Sequence, residues 1–228
     1  MEIAPHVHWV ETGGSNVYLV IEPPNIVLID TGMPRQQRTI FDYLRQLGHQ
    51  PTDLSHILVT HADMDHVGSL AAIHKASGAQ VLAGASSASL IDKGKSPKHM
   101  PVIVQWIIDT FIHYGAVPKA QISVFKEGDT LPFLGGLQAL ATPGHTLDHF
   151  SFFSPVAGVL FVGDALNTRD GRIQITPPRI TADKTAARQS AIRLLELSPA
   201  VIACGHGTPS TNHTADELMQ IFNGLRQE

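Results

Sequence analysis

A chain of 228 residues, 43% hydrophobic and 16% charged, has an ordinary globular composition. It is long enough to bury roughly 70% of its unfolded surface as one domain over residues 1–228. A net charge of −4 argues against a basic nucleic-acid surface or a polybasic membrane anchor, and the single cysteine, Cys204, excludes an internal disulfide and a thiolate zinc site. No apolar run reaches the ~18 residues needed to span a bilayer, and the start, MEIAPHVHWV, has neither the basic residues nor the apolar core of a signal peptide. The expectation is a cytoplasmic protein with a small-molecule substrate and no nucleic-acid or membrane partner.

In chain order, residues 16–22 and 25–30 are β-branched runs separated by Pro23 and Pro24, a hairpin pattern. Residues 34–48 read as a helix, with Ile40, Tyr43, Leu44 and Leu47 on one face and Gly48 at its end. A short strand at 55–60 runs into the segment THADMDH; a helix at 67–78 and a strand at 79–84 follow. Residues 86–120 are the least regular part. They contain a loop at 92–101 and an apolar helix at 102–115, and they predict a helical cap inserted over a site. Met100, Trp106, Ile107, Phe111 and Tyr114 suit the lining of an apolar pocket, or equally burial of that helix against the core or a dimer partner. Strands return at 122–125, 137–142, 149–154 and 158–164. A Pro-rich loop at 165–179 leads to a helix at 183–197, a buried strand at 200–207 and a closing helix at 214–227. Strands and helices alternate in both halves. The pattern predicts an α/β fold, a four-layer αββα sandwich of two mixed β-sheets with helices on the outer faces.

Thirteen histidines stand against sixteen lysines and arginines, so several should have work to do. Five stretches put a polar residue just past an apolar strand: Asp30 in LIDTG, residues 61–66 in LVTHADMDH, His145 in LATPGH, Asp164 in LFVGDA and His206 in IACGHG. Strand ends in layered folds are where sites assemble, and the flanking glycines allow close backbone approach. Seven candidate metal ligands result: His61, Asp63, Asp65, His66, His145, Asp164 and His206. Imidazole and carboxylate without thiolate suits Zn, Fe, Mn or Co, and seven ligands are what two metals need. His6, His8, His49, His56, His74, His99, His113 and His213 are scattered and read as surface or edge residues. His149 and Asp148 lie close to His145 and read as supporting residues at most. Cys204, inside an apolar strand, reads as a small buried hydrophobe.

These motifs, in order from Asp30 to His206, resemble the metallo-β-lactamase-fold superfamily over nearly the whole chain, and most of all its glyoxalase II and lactonase-like branch. The resemblance implies the αββα sandwich. It also implies that His61, His145 and position 63 bind a first divalent metal, that Asp65, His66 and His206 bind a second, and that Asp164 bridges. Asp30 would support the ligands without binding metal. It implies a metal-dependent hydrolase of an ester, thioester or lactone, working through a metal-bridging hydroxide that Asp65 orients as catalytic residue. Bridging Asp164 argues against a dedicated β-lactamase, and the tail after residue 211 is too short for a basic glutathione-binding region.

The family pattern H-x-H-x-D-H has Asp, not His, at position 63. A carboxylate reaches less far than imidazole, lowers the positive charge of the centre, and shifts preference from Zn toward Fe or Mn. Zn stays the leading expectation for both metals. The diiron flavoprotein branch also carries a carboxylate at this place, so an iron oxidoreductase is the alternative, although 228 residues leave no room for a flavodoxin domain. A non-catalytic metal binder is the other alternative.

Overall fold

The computed structural model describes residues 1–111 and 113–227. Strands β1 (Glu2–Ala4), β2 (Val7–Glu11), β3 (Asn16–Glu22) and β4 (Asn25–Ile29) form an antiparallel meander. Helix α1 (Gln37–Gln46) then crosses to β5 (His56–Leu58), which pairs parallel with β4. The short helix α2 (Met64–Val67) and helix α3 (Leu70–Ser77) lead to β6 (Gln80–Gly84). Helices α4 (Ala85–Ile91) and α5 (Val102–Phe111) precede β7 (Ile122–Phe125), and β5, β6 and β7 pair in parallel to complete a seven-stranded sheet.

The second sheet takes β8 (Thr130–Leu131), β9 (Leu137–Ala141), β10 (Phe150–Ser154) and β11 (Val159–Gly163) as antiparallel neighbours. A two-stranded ribbon, β12 (Leu166–Asn167) with β13 (Gln174–Ile175), and helix α6 (Lys184–Glu196) separate β11 from its parallel partner β14 (Val201–Cys204). Helix α7 (Ala215–Gln227) closes the described chain. The expected helix at 102–115 is shorter than its apolar run: residue 112 lies outside the described residues, as does Glu228, and 113–118 is not helical. Helix α4 was not expected, because its small and hydroxylic residues, ASSASLI, carry little apolar periodicity.

Strand alternation explains the layers. Val20, Val27, Ile29 and Leu58 of the first sheet pack against Leu137, Phe152, Phe161 and Ala203 of the second. The opposite face of the first sheet, with Leu19, Leu28, Ile57 and Val81, takes Ile40 and Leu44 of α1, Leu70 and Ile73 of α3, and Ala88 and Ile91 of α4. Leu160, Val162 and Ile202 on the far side of the second sheet take Ala191, Leu194 and Leu195 of α6 and Leu218 of α7. Strands buried on both faces read as unbroken apolar runs, which is why they are easy to find. The result is the expected four-layer sandwich. Helix α6 starts at an N-cap, with the Ala186 N–H donating to Asp183 Oδ1 at 2.9 Å. Helix α7 starts at a reciprocal Thr214–Glu217 capping box.

Topology gathers the polar loops. Strands β4 and β5 are parallel, so Asp30 and the segment after β5 emerge at one end of the first sheet. Strands β9, β11 and β14 share one direction, so the loops carrying His145, Asp164 and His206 emerge together from the second. Cross-sheet bonds join these ends: Asn16 N–H to the Gly205 carbonyl at 2.7 Å, Tyr18 OH to the Cys204 carbonyl at 2.6 Å, and Phe150 N–H to the Thr60 carbonyl at 2.8 Å. Cys204 is fully buried, and burial pushes its thiol up to about 12, in keeping with a packing role.

Candidate metal centre

The loop after β5 enters α2 at Asp63. Aspartate at an N-cap normally bonds the helix N–H groups with its side chain. Asp63 makes no such bond; its backbone carbonyl accepts from His66 and Val67 instead. The freed carboxylate turns inward, and Oδ2 lies 3.2 Å from His145 Nε2, 3.4 Å from His61 Nε2 and 3.3 Å from His99 Nε2.

Asp164 sits between two groups of imidazoles. Its Oδ1 is 3.3 Å from His66 Nε2, and its Oδ2 is 3.2 Å from His206 Nε2 and 3.6 Å from His145 Nε2. Asp65 Oδ2 is 3.2 Å from His206 Nε2. All seven residues singled out in the sequence therefore meet in one cluster. Three sets bring metal-binding atoms within 4.8 Å of one another: His61, His145 and Asp164; Asp63, His99 and His145; and Asp65, His66 and His206.

Supporting bonds aim the ring nitrogens. Asp30 accepts from Thr60 N–H at 2.9 Å, from Thr60 Oγ1 at 2.7 Å and from His66 Nδ1 at 2.8 Å, which leaves His66 Nε2 as the free lone pair facing Asp164. Thr60 Oγ1 has given its proton to Asp30, so it accepts from His61 Nδ1 at 3.0 Å, and His61 Nε2 is likewise left free. A carboxylate or hydroxyl behind an imidazole is the usual way a metal-binding histidine is oriented. Nε2 of His61, His66 and His99, and Oδ1 of Asp164, are buried without a hydrogen-bond partner among the described residues. Buried polar atoms are rarely left so, and several converging on one space fit a bound cation.

The carboxylates and imidazoles also set one another's proton affinity. Burial alone would push His66, His145 and His206 down, but Asp164 on His66 and His206, and Asp63 on His145, outweigh it. His66 is raised well above its ordinary value, His145 is raised, and His206 reaches about 9. Burial alone would push the carboxylates up. His145 and His61 instead hold Asp63 low, His66 and His206 hold Asp65 low, and the same two imidazoles hold Asp164 well below the usual carboxylate range. Anionic carboxylates held by exchangeable protons are what a divalent ion competes for.

His149 is committed elsewhere. Its Nε2 accepts from Asp164 N–H at 3.0 Å, so Nδ1 donates to Thr142 Oγ1 at 2.8 Å, and burial holds the ring neutral, well below its ordinary value. Asp148 Oδ2 accepts from Ala62 N–H at 3.0 Å and Ser87 Oγ at 2.7 Å, clamping the 60–66 loop to α4. Gly205 admits the cluster sterically: a Cβ there would lie 2.3 Å from Asp164 Oδ1 and 2.7 Å from His66 Cε1.

His99 is the correction. It was expected at the surface or an edge, and it is buried against Asp63 and His145, its ring centroid 4.7 Å from that of His145. A lone histidine in an irregular Pro-bounded loop carries no periodic signal; the cue available was the imidazole missing at position 63. Of the apolar residues near it, Met100 is half-buried, while Trp106, Ile107 and Phe111 are 62%, 43% and 70% exposed and so are not buried against the core. Tyr114 is buried, its hydroxyl donating to the carbonyls of Lys95 and Ala62.

The sequence profile of the metallo-beta-lactamase superfamily matches residues 10–206, and the chain belongs to that superfamily, a family of metal-binding hydrolases. It is 28% identical to a probable metallo-hydrolase, YflN, of Bacillus subtilis (strain 168), over 98% of this chain and 92% of that one. It is 28% identical to a hydroxyacylglutathione hydrolase of Idiomarina loihiensis, over 90% of this chain and 67% of that one. Its fold matches BJP-1, a subclass B3 metallo-beta-lactamase of Bradyrhizobium japonicum, with a TM-score of 0.73 at 24% identity, over 100% of this chain and 90% of that one. No helix among the described residues is long and apolar enough to cross a membrane.

Proposed function

We propose that this chain is a binuclear metallohydrolase that cleaves an ester, thioester or lactone. The observation that carries the reading is Asp164, one carboxylate within reach of imidazoles from both ligand sets: its Oδ1 lies by His66, and its Oδ2 by His206 and His145. His61, Asp63 and His145 would hold the first ion, Asp65, His66 and His206 the second, and Asp164 both. The donor set is imidazole and carboxylate, which suits Zn, with Fe or Mn favoured by the extra oxygen at Asp63. When bound, the ions supply Lewis acidity at the acyl oxygen and bring the pKa of a water down toward ~7.

The residues do the rest. Asp65 has the most open side chain of the seven, 31% exposed, and its carbonyl is held by Ser15 Oγ. Kept anionic by its neighbours, it would orient the attacking water by accepting a hydrogen bond from it. A cleft of about 360 Å³ adjoins this side, lined by Trp9, Glu11, Ser15, Asn16, Arg169 and His206, among others, which suits a small molecule. A larger hollow of about 680 Å³ between 168–173 and 208–221 contains none of the seven residues, so size does not mark the chemistry. The names of the two curated relatives favour hydrolysis, and that of the hydroxyacylglutathione hydrolase favours an acyl link.

Metal analysis of protein purified without added metal, followed by thioester, lactone and phosphodiester assays, tests the reading. Two ions per chain and turnover of an acyl substrate are expected. Two ions with no turnover would mean a binding protein, and iron with activity only toward a reductant and an oxidant would mean the redox alternative.

A further inference from the structure

Three imidazoles surround one oxygen. His145, His99 and His61 bring Nε2 to 3.2, 3.3 and 3.4 Å from Asp63 Oδ2. A tetrahedral ion with ligands at about 2.0–2.1 Å has ligand-to-ligand edges of roughly 3.3–3.4 Å. His99 therefore sits at a ligand's distance from Asp63. Its side chain is 2% exposed, and neither Nδ1 nor Nε2 has a hydrogen-bond partner among the described residues. Nε2 is thus a buried polar atom without a partner beside a carboxylate, a place where a shared cation would satisfy both.

We propose that His99 is a metal ligand, delivered by the loop before α5 in place of the imidazole that position 63 lacks. Asp63 and His99 together then do the work of one histidine, the short carboxylate reaching from α2 and the ring from the opposite wall. The device also ties the segment to the ion. Gln105 Oε1, on α5, accepts from His99 N–H at 3.1 Å and from Met100 N–H at 3.2 Å, and Gln105 Nε2 donates to the Pro97 carbonyl at 3.4 Å. Helix α5 thus holds the backbone of its ligand, and occupancy at the centre holds α5. The proposal requires an ion at this centre but not any particular reaction.

The test compares wild type, His99→Ala, His99→Gln and the double variant Asp63→His/His99→Ala, each stripped with chelator and titrated with Zn(II) and with Co(II). Zn stoichiometry and affinity, the Co(II) visible spectrum, and hydrogen exchange over residues 95–111 are read on each, with circular dichroism of the stripped proteins as the check on folding. The expected result is that His99→Ala and His99→Gln weaken one ion by roughly tenfold or more and change the Co(II) spectrum. The double variant should recover that affinity, yet leave 95–111 unprotected when Zn is added. Unchanged affinity and spectrum in both single variants would overturn the proposal. If His99→Ala is misfolded, His99→Gln alone decides. Wild type that takes up one ion instead of two defeats the two-metal reading, while His99 is still judged by whether that ion's affinity and spectrum change.

Discussion

His66 and His99 are both buried imidazoles beside a carboxylate, but they are held in different ways. His66 follows a strand end, and Asp30 fixes its Nδ1 at 2.8 Å. His206, in the same set, follows β14, whose end is bonded to Asn16 and Tyr18 of the other sheet. His99 hangs from a loop whose support is Gln105 of a helix with exposed apolar residues. The set with Asp65, His66 and His206 is built on rigid sheet ends and keeps the family pattern. The set with Asp63, His99 and His145 is part sheet end and part loop, and there the chain departs from the pattern. Sites built on strands are positioned by packing that also stabilises the fold; a ligand on a loop can be gained or lost without disturbing the core.

Asp164 joins the two sets, so its loss should have the largest effect. Asp164→Ala should lower acyl hydrolysis by roughly a thousandfold or more, several kcal/mol of transition-state stabilisation, with ion content falling below that of wild type. Retained turnover would break the link between the sets. Next comes Gly205→Ala, whose added Cβ meets Asp164 Oδ1 and the His66 ring. A displacement of this kind should cost roughly a hundredfold in activity and weaken the Asp65–His66–His206 set before the other, as read by two-step Zn titration. Equal weakening of both ions would say that the sets are not separate. Asp30→Asn removes the charge that fixes His66 and should weaken one ion by about 10–100-fold, leaving the 95–111 segment as protected by Zn as in wild type.

The smallest effect expected is one of pH. In the ion-free protein Asp164 and Asp65 raise His206 to about 9 against the pull of burial. A raised folded pKa means that this stabilisation is complete below ~6.5 and fades as pH rises through 9. Ions bind the neutral ring, so proton competition fades over the same window. The gain in Tm on adding Zn should therefore grow from pH 6.5 toward 9, measured by scanning calorimetry of stripped and loaded protein. A gain that stays flat or shrinks contradicts the ion pairing of His206.

Much of this was legible in the residues. The strands buried on both faces, such as VLFVG and VIAC, can be read as apolar runs, and the residues just past them make the seven-member cluster. Asp30 stands at a strand end in the same way, but its supporting role was legible only through the family resemblance. His99 was not, since nothing in KSPKHMP repeats and its partners are 36 and 46 positions away, at Asp63 and His145. Helix α4 was hidden by its small polar residues. The exposure of α5 could not be read either, because an apolar run predicts burial and here Trp106 and Phe111 stay in solvent.

The central claim is that one carboxylate, Asp164, serves two ions. Anomalous diffraction at the metal edge, on crystals of protein purified without added metal, tests it most directly. The account predicts two peaks flanking Asp164, one facing His66 and His206, the other facing His61 and His145. A single peak, or two peaks of which neither contacts Asp164, would contradict it.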